Sequence, residues 1–202
     1  MEQQNSTVII SRRRVKKVNK AFYLGSYIGS IVAAPIMLII IAIMFVGMGV
    51  FNYPFKADEL LGPLLGGAIG AIIMITAVAI YGIVVSLVLL YKAWEAIRDG
   101  KQRTTPGKAV GFLFIPFYNL YWIFQAYAGY AKDYNLYLAR YNLDAKRLTE
   151  GLFLAGSILA VVSATAGSIV PYIGALSGIG SIVINALIIN ELCNGINNLS
   201  QA

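Results

Sequence analysis

The 16 Lys or Arg and 9 Asp or Glu side chains of this sequence all fall outside four uncharged stretches: Ala21 to Phe55, Leu60 to Tyr91, Ala109 to Ala131 and Gly151 to Asn190. Ordinary soluble domains carry charge on about a quarter of their residues, spread along the chain. Here only 12% are charged, 58% are hydrophobic, and the uncharged runs reach 35, 32, 23 and 40 residues. These runs define an all-α integral membrane protein.

A helix needs about 20 apolar residues to cross roughly 30 Å of hydrocarbon. The first two runs therefore give one span each, placed at Tyr27 to Val50 and Leu64 to Tyr91. Phe51 to Pro63, with Pro54, Asp58-Glu59, Gly62 and Pro63, reads as a short exposed connection. The fourth run as one helix would extend about 60 Å, more than a single crossing uses. Gly167 to Gly174 interrupts it around Pro171, because proline removes a backbone donor and glycine tolerates a turn. The result is a second hairpin, Leu152 to Val170 and Ile173 to Ile189.

Short loops rich in Lys and Arg stay on the cytoplasmic side. Six such residues precede the first span, five lie between Lys92 and Lys108, four between Lys132 and Arg147, and one, Lys56, in the first hairpin connection. With both termini inside, the split is 15 to 1, provided Ala109 to Ala131 does not cross completely. If it does, the split falls to 11 to 5, and the stretch is an ordinary fifth span. The first arrangement is preferred: four transmembrane helices as two hairpins, plus a central proline-broken re-entrant or interfacial aromatic helix. The chain then divides into a basic tail (1–20), a first hairpin (21–91), a cytoplasmic or interfacial segment (92–150) and a second hairpin with a short tail (151–202).

The basic tail orients the first span, and Arg12, Arg13, Arg14, Lys16 and Lys17 are suited to hold anionic lipid headgroups. Nucleic acid is not an expected partner, since no reading element accompanies the charge. Val15, Val18 and Phe22 share a helical face, so the tail can lie along the interface.

Specific information concentrates between Lys92 and Leu143. Tyr91 and Trp94 suit the headgroup level at the end of span 2, and Gly100 can end its helix. Thr104-Thr105-Pro106-Gly107 has the residue order of a type II turn. Pro116 frees the Phe112 carbonyl, favours an extended Ile115, and suits the first turn of a new helix; Asn119 and Gln125 are natural partners for the freed backbone groups. Tyr127, Tyr130, Tyr134, Tyr137 and Tyr141 then recur at intervals of 3, 4, 3 and 4, with Asn119 and Ile123 on the same side. One amphipathic helix from Pro116 to Leu143 is expected, its tyrosines meeting headgroups, another helix or a partner.

A tryptophan near the end of a second span, followed by T-P-G-x-A-V-G, three residues, I-P-x-x-N-L and a later Q, resembles the core of an uncharacterised family of small multi-span bacterial membrane proteins classed as a domain of unknown function. The matching residues are Trp94, Thr105, Pro106, Gly107, Ala109, Val110, Gly111, Ile115, Pro116, Asn119, Leu120 and Gln125. The resemblance implies a bacterial inner-membrane location and a family-level role for this segment; it implies no activity.

Small-residue steps at Gly62, Gly66 and Gly70, at Gly25 and Gly29, and at Gly174 and Gly178 allow helices to approach closely, within the bundle or between copies. Chemistry is sparse. With no histidine and one cysteine, there is no His-based acid–base pair, no multi-Cys metal site and no intrachain disulfide. No ionisable residue lies within a proposed span, which weighs against ion-coupled transport. Asp133, Asp144, Glu150 and Glu191 lack catalytic partners by spacing, and no cofactor is expected. The expected function is a non-enzymatic scaffold or assembly subunit. Its binding surface would be the central aromatic segment, with Trp94, Thr105, Pro106, Gly107, Pro116, Asn119, Trp122, Gln125, Tyr130 and Tyr134 as candidate residues. A passive pore or small-solute permease through Asn119 and Gln125 is the alternative, and a lipid-modifying enzyme the weaker one.

Overall fold

Proline and capping residues set the starts of several elements. The computed structural model describes residues 15–50 and 57–201, with side-chain surroundings for 15–43, 66–165, 170 and 176–201. Among the described residues every regular element is helical. Helix α1 (Lys20–Val50) is followed by α2 (Ala57–Ala96). α2 is already running at Ala57, so Gly62 and Pro63 belong to the helix and not to the exposed connection expected there.

α2 has 40 residues, about 60 Å. That length exceeds one bilayer because the helix continues past its apolar section. Its last turns carry Leu89, Leu90, Ala93 and Trp94 into a packed head, which Ile97 joins just beyond the helix. The chain next forms α3 (Pro106–Gly111), a 3₁₀ turn (Phe112–Phe114), α4 (Tyr118–Ile123), a π turn (Phe124–Ala128) and α5 (Gly129–Arg140), and then α6 (Glu150–Ile169) and α7 (Pro171–Leu199). The break between α6 and α7 is the single residue Val170, extended at φ −123° and ψ 102°, as a residue before proline prefers. Pro171 opens α7, where its missing N–H costs nothing.

Three of these helices contain segments long and apolar enough to cross a membrane: Lys20–Ile43, Gly66–Ala96 and Leu176–Leu199. None of the most apolar window of the first is buried within the protein. Ile39, Ile40, Ile43, Ile69, Ile72, Ile73 and Met74 all face outward. A helix apolar on every side needs an apolar surrounding, and these three are compatible with insertion into a membrane.

α1 and α2 run antiparallel, joined by a Ser26–Tyr81 hydroxyl contact of 3.0 Å and by Lys92 Nζ donating to Tyr23 Oη at 2.8 Å. α6 folds back along α7, where the absent side chain of Gly156 makes room for Ile184 and Ile188: a Cβ there would lie 2.5 Å from Ile188 Cδ1. Gly82 plays the same part beneath Ser30. At the described members of the expected glycine steps no such approach is made within the chain; Gly174 lies outside the residues whose surroundings are described. Among the described residues nothing stands within 4 Å of a Cβ at Gly25, Gly29, Gly66, Gly70 or Gly178, and the surroundings of Gly62 lie outside the described residues.

The core sits at one end, where α1 begins, α2 ends, α6 begins and α7 ends. Asn197 binds both the N–H and the carbonyl of Val18, at 2.8 and 3.1 Å. Glu191 accepts from the Thr149 N–H and hydroxyl at 2.9 and 2.8 Å, capping the entry to α6. The central segment, residues 98–149, wraps this meeting of helix ends.

Candidate functional site

Thr104 to Gly107 is not the type II turn that its residue order suggests. Thr105 is the N-cap of α3, accepting from the Lys108 N–H at 3.4 Å, and Pro106 is its first residue. A type II turn needs positive φ at Gly107, and among the described glycines only Gly100 has it (φ 84°). Proline suits a turn and a helix start equally, and here the threonine cap favours the helix. Gly100 likewise shapes the loop after α2, which has already ended at Ala96; the Gly100 N–H donates to Gln102 Oε1 at 2.7 Å.

The proline break at Pro116 is present, with different partners from those expected. Ile115 is extended at φ −84° and ψ 115°. The Phe112 carbonyl is taken by the Ile115 N–H at 3.4 Å, and Asn119 contributes its backbone N–H to the Ile115 carbonyl at 3.0 Å. Gln125 instead accepts from Arg103 Nη1 at 3.2 Å and donates to Tyr121 Oη at 2.9 Å. The new helix starts at Tyr118, two residues beyond Pro116. Between them Phe117 holds φ 61° and ψ −40°, and the Tyr118 N–H reaches back to the Pro116 carbonyl at 2.7 Å. This is a γ-turn of positive φ, a strained conformation for a side chain of this size.

Aromatic rings hold the strained loop closed. Phe112 meets Trp122 edge-on at 4.8 Å, Tyr118 stacks on Trp122 at 5.6 Å, and Trp122 Nε1 donates to the Ala109 carbonyl at 3.1 Å. The tip outside this staple is apolar and open: Phe114, Ile115, Phe117 and Tyr121 are all exposed, Phe117 to 88%.

Helix continues from Tyr118 to Arg140, interrupted by the π turn at Phe124–Ala128, where the Gly129 N–H bonds five residues back to Phe124. A π turn inserts one residue and rotates the helix before it by about 100° relative to the helix after it. Asn119 and Ile123 are therefore out of phase with the tyrosines they were expected to join. Trp94 Nε1 donates to the Ala126 carbonyl within this turn at 3.0 Å. Trp94 is thus a buried core residue, 0% exposed and edge-on to Tyr130 at 5.4 Å.

The tyrosine stripe faces inward as well. Tyr130 and Tyr134 are fully buried, and Tyr134 donates to the Gly195 carbonyl at 3.3 Å. Burial pushes the Tyr134 hydroxyl up to about 12 and holds Tyr130 well above the ordinary tyrosine range, with Tyr134 adding to the effect on Tyr130. Both remain neutral packing groups.

Two ion pairs tie the segment together. Asp133 accepts from the Arg103 N–H at 2.8 Å and from Arg103 Nε at 2.9 Å, with Arg103 Nη2 at 2.8 Å. Asp99 pairs with Arg140 and accepts from the Lys101 N–H at 2.8 Å and Tyr141 Oη at 3.3 Å. Burial raises the Asp99 carboxyl, but the Lys101, Arg140 and Tyr141 bonds together outweigh it and leave it below the usual carboxylate range. Asn135 pairs with both backbone groups of Leu148 and also donates to Glu150 at 3.0 Å.

A cavity of about 410 Å³ opens between α1, α2, α7 and the π turn, lined by Tyr27, Ser30, Ser86, Tyr127, Asn185 and apolar side chains. Tyr27 Oη donates to the Ile182 carbonyl at 3.2 Å. Neither Asn119 nor Gln125 lines this cavity. Lys16 and Lys17 stand with Lys92 and Arg98 around a second cleft; Arg12, Arg13 and Arg14 lie outside the described residues. Among the described residues no group of three His, Cys, Asp or Glu is placed to hold a metal. No family model, no curated protein and no solved structure matches this chain.

Proposed function

We propose that this chain is a four-span integral membrane protein that acts as a non-enzymatic scaffold or assembly subunit. α1, α2 and α7 supply three spans, and α6, 20 residues long and packed antiparallel on α7, supplies the fourth. The segment from Ala109 to Ala131 is re-entrant. The Arg103–Asp133 pair supports this, since it holds the two flanks of the stretch within hydrogen-bonding distance, whereas a full crossing would separate them by about 30 Å. The bacterial inner-membrane placement, with both termini cytoplasmic, rests on the motif resemblance and on the 15-to-1 distribution of Lys and Arg.

The observation that carries the scaffold reading is the engagement of the acidic groups. Asp133 grips Arg103, Glu150 binds Asn135, and Glu191 caps α6 through Thr149, so three of the four candidate acids serve the framework; the fourth, Asp144, is exposed on the loop between α5 and α6. A lipid-modifying role would need one of them free near a nucleophile or base. The permease reading through Asn119 and Gln125 loses its basis in the same way, since Gln125 bridges Arg103 and Tyr121.

A rigid framework is suited to present the tip that it encloses. The partner surface is the exposed end of the aromatic segment, Phe114, Phe117 and Tyr121, in place of the buried Tyr130 and Tyr134. Purification in mild detergent is expected to recover a stoichiometric partner. Phe117→Ala with Tyr121→Ala should reduce its recovery at least tenfold, since each aromatic anchor at an interface is worth about 2 kcal/mol. A wild-type protein that is consistently solitary, or a partner retained by the double variant, would sink the proposal.

A further inference from the structure

The strap Val15–Asn19 is drawn across the end of the bundle by Asn197, which holds Val18 by both backbone groups. Between this strap and the last turns of α2 lies a cleft of about 470 Å³, within the roughly 300–1,000 Å³ of small-ligand sites. Its rim carries four cations, Lys16, Lys17, Lys92 and Arg98, against one carboxylate, Glu95; Val18 and Ile196 form part of its apolar floor. Two of the cations come from the strap, one from α2 and one from the loop directly after it, so the charge is gathered by the fold and not by sequence proximity. Lys92 gives one N–H to Tyr23 and keeps two more for a ligand.

We infer that this cleft binds a phosphate ester, held between the strap and α2, and that the ester is the headgroup of an anionic phospholipid. Clustered Lys and Arg recognise phosphate by charge and hydrogen bonding. The surroundings of the cleft favour a lipid as the source. Phe22 and Tyr91, next in sequence to the bonded pair Tyr23 and Lys92, are exposed, and the apolar spans of α1 and α2 run on from this pair, giving acyl chains a path that a soluble phosphate would not use.

The inference rests on the reading that these helices cross a bilayer, which retention in alkaline-extracted membranes checks separately. The full chain in an uncharged detergent is titrated with phosphatidylglycerol, phosphatidylcholine or glycerol 3-phosphate, and bound ligand is followed by native mass spectrometry. Phosphatidylglycerol binds selectively. Lys17→Ala with Arg98→Ala weakens it about thirtyfold, from about fivefold per cation removed. Charge-conserving Lys17→Arg with Arg98→Lys keeps the binding, which separates loss of charge from loss of fold. Lys132→Ala with Lys146→Ala, exposed cations outside the cleft, leaves it unchanged. Equal weakening by that control pair, or equal binding of phosphatidylcholine, overturns the site. Glycerol 3-phosphate binding as tightly as the lipid overturns the assignment to a lipid. A chain that stays in extracted membranes yet shows no selective binding overturns the inference and leaves the topology standing.

Discussion

Asp99 shows how a single carboxylate can organise a loop. It accepts from the Lys101 N–H, from Arg140 and from the Tyr141 hydroxyl, so it joins the turn after α2 to the end of α5 across about forty residues of chain. Those bonds favour its ionised form strongly enough to outweigh the cost of burial. A carboxyl whose pKa is lower folded than unfolded adds stability above its ordinary value of about 3.9, and that stability disappears as pH falls through the lowered folded value. Asp99→Asn should therefore destabilise the protein by about 1–2 kcal/mol near neutral pH. The gap between the melting curves of wild type and variant should close below about pH 4. A gap that persists in acid would mean that the ion pair is not its source. The aromatic residues illustrate a limit of the sequence at this scale. Tyr130 and Tyr134 show a helical period that fits an interface, a partner surface or a core equally well, and only their placement against Phe153 and Gly195 fixes them as core, with Trp94 packed edge-on to Tyr130.

At the scale of elements, the tightest approach among the described glycines is that of α6 to α7 at Gly156, which leaves no room for a side chain against Ile184 and Ile188. Gly156→Val should cost about 1–3 kcal/mol through overpacking, and Ile188→Ala in the same chain should recover part of it. Gly178→Val, with nothing within 4 Å of its Cβ among the described residues, is the control, and equal destabilisation there would refute the contact. Both proline breaks at Pro116 and Pro171 were legible in the sequence, because proline disfavours helix in the residue before it, and Ile115 and Val170 are extended; Pro35 and Pro63, by contrast, are carried inside α1 and α2. The π turn was not legible, since no local residue demands it and the Ala126 carbonyl is satisfied by Trp94 from 32 residues away. Glycine spacing did not locate the close approaches within the chain: period four marks a smooth face, but which face meets a neighbour depends on helix rotation, and among the described glycines Gly156 and Gly82 make close approaches from outside the expected series.

At the scale of the whole molecule, four long helices were readable from uncharged run lengths and one proline, whereas the path of the central segment depended on pairs distant in sequence. Residues 109–131 are long and apolar enough to cross alone. They return to the same end because Arg103 clasps Asp133 and Trp122 binds the Ala109 carbonyl, which together close a loop of some thirty residues. This return can be tested by labelling in intact cells with a membrane-impermeant maleimide. The native thiol, buried Cys193, is replaced by serine, and single cysteines are placed at Lys101, at Leu136 (57% exposed) and at Asn52 in the connection before α2. If the segment is re-entrant, Lys101→Cys and Leu136→Cys are both protected until the membrane is opened, while Asn52→Cys reacts at once. Labelling of Leu136→Cys with Lys101→Cys still protected would place the two flanks on opposite sides. The Arg103–Asp133 pair could not then form, and the central segment would have to be counted as a fifth span.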